Sequence, residues 1–150
     1  MKNIKQLKTK RVSRVFDDVF NRYDMMNDIM SLGVHRVWKE RLIDWMSPKN
    51  GDHLIDMASG TGDVARAFLK RLKFDGRVTC VEPNKLMLES GKKKLKHLNK
   101  IRWHCSMAEK LPFKEEVFDI YSVSFGIRNF SNMDLSLKEA RRVLKTGGRI

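Results

Sequence analysis

Asp56, Gly60, Gly62 and Glu82 are the residues whose types and spacing point most directly to chemistry, and the chemistry is the holding of a polar, hydroxyl-bearing ligand. The run Leu-Ile-Asp-Met-Ala-Ser-Gly-Thr-Gly-Asp over residues 54–63 passes from an apolar strand into a turn of small residues that can open onto a helix. Gly60 and Gly62 let the backbone approach a ligand that a Cβ would push away. A helix beginning near Asp63 offers amide hydrogens with no intrahelical partner. Glu82 closes the strand-like segment Arg77-Val78-Thr79-Cys80-Val81, 20 residues after Gly62. A carboxylate there can accept both hydroxyls of a ribose. The glycine turn alone is also compatible with a tight structural turn; Glu82 in register favours the ligand.

The dinucleotide fingerprint needs G-x-G-x-x-G, whereas this segment reads Ala58-x-Gly60-x-Gly62 and then Ala65, which the G/A form tolerates. Asp56 at the strand end followed by Gly-Thr-Gly-Asp is instead similar to the pattern of S-adenosylmethionine-dependent methyltransferases of the doubly wound class.

The elements needed to position these residues are legible. Apolar spacing at Val15, Phe16, Val19, Phe20 and Tyr23, and again at Val34, Val37, Trp38, Leu42 and Trp45, predicts two amphipathic helices separated at Ser31-Leu32-Gly33. After the turn Ser47–Gly51, strands near 53–57, 77–82, 101–106 and 118–124 alternate with helices near 63–73, 84–97 and 133–144. That alternation predicts an α/β fold with a doubly wound, mostly parallel, Rossmann-like sheet. Asn84 can cap the second of these helices, and Asp134 suits the first turn of the last. Lys145-Thr146-Gly147-Gly148-Arg149-Ile150 reads as a helix stop and the first residues of another strand. No repeat or linker is visible, so 1–150 reads as one domain, with helices over 1–47 leading into a ligand-binding core over 52–150.

The chain has 150 residues, enough to bury about 70% of its unfolded surface as one domain. Its two cysteines, Cys80 and Cys105, both fall on strand-like apolar segments and are expected to be buried, reduced thiols. The four histidines lack ligand spacing, so no metal is assigned. No run of 18 apolar residues and no signal-type apolar core is present, which predicts a cytoplasmic protein. The formal charge of +13 is concentrated in Lys2, Lys5, Lys8, Lys10, Arg11 and Arg14 and in Lys92-Lys93-Lys94-Lys96. Such charge favours anionic lipid or nucleic acid, or is simply a solvated helix face. No aromatic-basic RNA motif is visible, so nucleic acid is not the expected partner.

The string Tyr23-Asp24-Met25-Met26-Asn27-Asp28-Ile29-Met30-Ser31-Leu32-Gly33-Val34-His35-Arg36-Val37-Trp38 resembles the signature of the ubiquinone/menaquinone biosynthesis C-methyltransferase family. Ala108–Phe113, Ser124–Asn129 and Arg142–Arg149 are similar to that family's later motifs in order and spacing, so the resemblance covers roughly Val15 to Ile150. It implies a class I fold and transfer of a methyl group from S-adenosylmethionine to a ring carbon of a polyprenyl benzoquinol or naphthoquinol. It also implies that residues 1–47 form part of the substrate side and that three further strands lie beyond Ile150, so the sheet is expected to be incomplete at that end. The implied partners are the quinol, an anionic inner-membrane surface reached peripherally, and other quinone-biosynthesis enzymes.

Residue by residue, the resemblance places Asp56, Gly60, Thr61 and Gly62 at the cofactor turn, Glu82 at the ribose, Met107 and Ala108 on the adenine side, and Ser124 at the end of the fourth strand. Asp56 is expected to fix the turn, and Met107 is alternatively ordinary core. Arg128 is the first catalytic candidate, a cation able to stabilise a phenolate or to orient the water that takes its proton, with Asn129 helping to hold it. His35 titrates near neutrality and suits a base, or hydrogen-bonds structurally. Tyr23 and Asp24 line the substrate entrance or cap the helix break. Three positions depart from the family: Met107 stands where Asn is usual, Ser59 where Gly is usual and Thr146 where Pro is usual. A thioether accepts a hydrogen bond from an adenine amino group poorly. The competing readings are a cofactor-binding fragment without turnover and a methyltransferase for another small molecule.

Overall fold

The computed structural model describes residues 34–150. By compactness the chain divides into residues 1–40, of which only the last seven are described, and residues 41–150. The first expected helix, with Tyr23 and Asp24, lies outside the described residues. The second is observed as α1, Val34–Met46.

Residues 41–150 form a five-stranded sheet in the order β3-β2-β1-β4-β5, with every pairing parallel. The strands are β1 (His53–Met57), β2 (Arg77–Val81), β3 (Ile101–His104), β4 (Phe118–Val123) and β5 (Leu144–Arg149). The helices between them are α2 (Asp63–Arg71), α3 (Lys85–Lys94) and α4 (Met133–Val143). β1 runs at the centre, Leu54 pairing with Val78 on one side and Ile120 on the other. Four of its five residues are buried, as a parallel strand covered on both faces requires.

Two apolar cores result. On one face Leu54, Val78, Cys80 and Ile120 pack with Val64, Ala65, Phe68 and Leu69 of α2 and with Ile43 and Met46. On the other, Ile55, Met57, Val81 and Tyr121 pack with Ala108 and Leu111 and with Ala140 and Val143 of α4. The cap of α3 is as read: the Asn84 side chain accepts from the amides of Leu86 and Met87. Asp134 is in the first turn of α4, but the capping acceptor is Asn132, whose side chain takes the Leu135 amide.

Boundaries differ where local chemistry was ambiguous. β3 stops at His104, leaving Cys105 exposed, so only Cys80 is the buried thiol expected of both. Burial raises the Cys80 thiol pKa well above its ordinary value, which keeps it neutral. β5 begins at Leu144, immediately after α4, with no intervening turn. Its pairing with β4 shifts register between Phe118↔Leu144 and Ile120↔Arg149, and Gly147 takes a φ of +79° within that irregularity.

Candidate cofactor site

β1 delivers its last residue, Met57, into a turn whose backbone is left-handed at Ala58, Gly60 and Gly62, with φ of 54°, 56° and 87°. Gly62 is the residue before α2, and no side chain caps that helix terminus. The two glycines have different reasons to be glycine. A Cβ on Gly60 would meet only the Met87 methyl at 3.4 Å, an ordinary contact, so its positive φ and the open approach above it set its identity. A Cβ on Gly62 would meet Leu95 Cδ1 at 2.7 Å and the Trp103 ring at 2.8 Å. Gly62 is therefore also a packing residue, which the sequence reading did not foresee.

Glu82, 5% exposed at the end of β2, spans two turns. Its Oε2 accepts the amide hydrogen of Gly60 at 2.8 Å and its Oε1 that of Asn84 at 2.8 Å. Each carboxylate oxygen keeps a second lone pair. The same side chain thus fixes the glycine turn against the start of α3 and still has capacity for two hydroxyl donors. Asp56, 1% exposed, accepts from Ser122 Oγ at 2.7 Å on the adjacent strand β4. That bond ties β1 to β4 just below the turn, in keeping with a residue that fixes the site's floor. Ser122 was missed in the sequence because its partner lies 66 residues away.

Behind the turn, α3 makes a second clamp. Lys94 Nζ donates to Thr61 Oγ1 at 3.2 Å and to Asp63 Oδ1 at 2.9 Å. A Cβ on Gly91 would lie 2.3 Å from the Trp103 ring and 3.2 Å from the Thr61 carbonyl carbon. Helix and turn therefore touch nearly backbone to backbone, with the indole wedged beside both glycines.

At the end of β3, Ala108 is buried and Met107 is 47% exposed. Met107 is thus surface, not core, and is available as an apolar wall. Glu109, next in sequence, accepts the amides of Ser131 and Asn132 at 2.7 and 3.0 Å. Those bonds, that from Asn132 foremost, hold its carboxyl pKa below the ordinary value. Past the end of β4, Ser124 is half-buried, while Arg128 and Asn129 are exposed in a 3₁₀ turn over Ile127–Asn129. Gly126 brings this segment to the glycine turn, since a Cβ on it would fall 2.3 Å from Ala58 Cβ. His35 lies on α1, and its side chain is outside the described residues.

Asp56, Gly60, Thr61, Gly62, Glu82, Met107, Ala108, Ser124, Arg128 and Asn129 accordingly gather at the carboxyl ends of β1, β2, β3 and β4. Two recesses of about 280 and 300 Å³ are found elsewhere: one lined by Leu69, Phe74 and residues 97–100, the other by Lys49, Asp52, Asp119 and residues 145–149. Both sit toward the amino ends of the strands.

A crevice outside the carboxyl ends of parallel strands, with a glycine turn on the first and an acid ending the second, is the ligand position of nucleotide-type cofactor domains. The chain matches the ubiE/COQ5 methyltransferase family over residues 4–150. It is 44% identical over 146 residues to the ubiquinone/menaquinone biosynthesis C-methyltransferase UbiE of Ruegeria sp. (strain TM1040), a match covering 95% of this chain and 58% of that protein. It is 40% identical over 178 residues to the mitochondrial 2-methoxy-6-polyprenyl-1,4-benzoquinol methylase of Dictyostelium discoideum, covering 97% of this chain and 56% of that one. Among solved structures it is similar to a putative S-adenosyl-L-methionine-dependent methyltransferase from Methanococcus maripaludis, with a TM-score of 0.72 at 20% identity over 85% of this chain and 58% of that chain. That last likeness is one of fold. The chain belongs to the ubiE/COQ5 methyltransferase family, and it spans little more than half the length of these relatives.

Proposed function

We propose that this chain binds S-adenosylmethionine and takes part in C-methylation of a polyprenyl benzoquinol or naphthoquinol. The observation that carries the reading is the Glu82 carboxylate, held by the Gly60 and Asn84 amides at the ends of adjacent strands in a chain of this family. The residues fit the cofactor: the second lone pairs of Glu82 suit the two ribose hydroxyls, and Met107 supplies an apolar wall for adenine. The turn at 60–62 and the uncapped start of α2 suit the carboxylate of the amino-acid part. When bound, the cofactor supplies an electrophilic methyl group on a sulfonium.

The chain's own work is to bind, align and handle a proton. A ring carbon would become an adequate nucleophile as a quinol hydroxyl passes its proton to a water, and Arg128, with Asn129 beside it, is the group to orient that water and stabilise the resulting phenolate. Phe125 and Ile127 are exposed on the same segment and form an apolar rim where a ring can lie. The remaining contribution of the chain would be alignment, the glycine turn holding the cofactor and the rim of Phe125 and Ile127 holding the ring against each other.

No described helix is long and apolar enough to cross a membrane. The lysine-rich segment with Lys92, Lys93 and Lys96 is a candidate docking surface for anionic lipid, through which the chain would reach a membrane-dissolved quinol. Vesicle binding that rises with anionic lipid content and is lost when these lysines are neutralised supports this docking. Binding indifferent to lipid charge contradicts it.

The test of function is transfer of isotope from methyl-labelled S-adenosylmethionine to demethylmenaquinol or to a 2-polyprenyl-6-methoxy-1,4-benzoquinol. Label in the quinol establishes the activity. Cofactor binding without turnover would support the binding-fragment reading instead.

A further inference from the structure

We infer that Lys94 is a positioning residue for the cofactor's amino-acid carboxylate, acting through Thr61 and Asp63; the assignment rests on the function proposed above. Asp63 is the first residue of α2, so its carboxylate stands beside the amides on which an anionic ligand group would sit. Alone, that charge favours the helix dipole but repels a second carboxylate. Lys94 reaches from α3 to within 2.9 Å of Asp63 Oδ1 and 3.2 Å of Thr61 Oγ1. One ammonium thereby offsets the acid and fixes the hydroxyl at the centre of the turn.

The pair is partly sheltered, with side-chain exposures of 36% and 25%, so its field is only partly screened. Lys94 is set apart from its lysine-rich surroundings by this contact: neighbouring Lys92 pairs within its own helix, with Glu89 at 3.0 Å. The close packing of Gly91 on Thr61 gives Lys94 a fixed base from which to reach. Its function is therefore to make the mouth of the turn less negative without adding a ligand contact of its own.

The experiment is calorimetric titration of the full chain, of Lys94→Met and of Lys94→Arg with two ligands. S-adenosylhomocysteine carries the amino-acid part, and 5′-methylthioadenosine lacks it. Lys94→Met is expected to weaken S-adenosylhomocysteine about fivefold, the scale of one partly exposed charge, and to leave 5′-methylthioadenosine within twofold. Lys94→Arg is expected to restore the affinity, and thermal melting of the unliganded variants confirms that each is folded. Equal affinity of Lys94→Met and the unsubstituted chain for S-adenosylhomocysteine would overturn the assignment. Equal weakening of both ligands would also overturn it, since that is the mark of a merely misshapen turn. If the unsubstituted chain gave no heat with either ligand, the parent reading would fall and this one with it.

Discussion

Glu82 Oε2 accepts the amide hydrogen of Gly60 at 2.8 Å across 22 residues of sequence, so the ligand-facing turn and the carboxylate at the end of the next strand are one hydrogen-bonded unit. Gly60 itself has room for a methyl group, with only Met87 at 3.4 Å. Gly60→Ala is therefore expected to cost stability only the left-handed strain, about 1–2 kcal/mol, while the added Cβ occupies the approach of the ligand. Urea unfolding beside ligand titration checks this; an affinity loss no larger than the stability loss would refute the distinction.

Gly91 behaves oppositely. Its helix gains up to about 1 kcal/mol from alanine by propensity, but a Cβ would lie 2.3 Å from the Trp103 ring. The clash wins, because a rigid indole in a packed niche cannot yield that far. Gly91→Ala is expected to destabilise by about 1–3 kcal/mol, and Trp103→Phe in the same chain to recover part of that loss. Additive losses in the double variant would contradict the wedge.

Arg142 joins α4 to the segment that follows β3. Its guanidinium donates to Glu139 Oε1 and Oε2 at 2.6 and 2.8 Å and to the carbonyls of Phe113 and Leu111 at 2.7 and 3.1 Å, while Glu139 accepts the Leu111 amide at 2.7 Å. Arg142→Met removes the guanidinium from the Phe113 and Leu111 carbonyls and leaves Glu139 with the Leu111 amide but no counter-charge. The expected loss is about 2 kcal/mol by denaturant unfolding, with faster hydrogen exchange at the Leu111 amide. Unchanged exchange there would refute the link.

His53 gives the fold a pH dependence. Burial, then the Arg77 charge, lowers its pKa to about 4, and its ring nitrogen Nε2 lies 2.9 Å from Thr79 Oγ1. The unfolded chain binds a proton near pH 6.5 and the folded chain only near 4, so this contribution is complete above about 6.5 and is lost as pH falls from there toward 4. Because the ring is only half-buried, the contribution is discounted to about 1 kcal/mol. Asp119 acts in a lower window: burial alone would raise its pKa, but hydrogen bonds from Lys145 and the His53 amide hold it below the ordinary value. A nuclear magnetic resonance titration that finds His53 charged at pH 6 would contradict the account.

Much of this was legible in the sequence. The strand, glycine turn and helix over 53–71 followed from apolar period and small residues, and the acid at 82 from its distance to Gly62. β5 is only half legible, because Leu-Lys-Thr-Gly-Gly-Arg carries no apolar alternation and a single β-branched residue beside two glycines. Cys105 is exposed because the strand-like pattern of 101–106 runs two residues past the end of β3 at His104. The clamps were invisible for another reason: Lys94 with Thr61, Ser122 with Asp56 and Glu109 with Ser131 are long-range pairs between polar residues that carry no local pattern. Gly62 and Gly91 were invisible as a niche until Trp103 filled it.

The most direct measurement is calorimetric titration of S-adenosylhomocysteine into the folded chain and into Glu82→Ala. The account predicts one saturable site on the unsubstituted chain and a loss of at least tenfold in affinity when the carboxylate is removed. No heat from the unsubstituted, folded chain, or equal affinity in both, would contradict it.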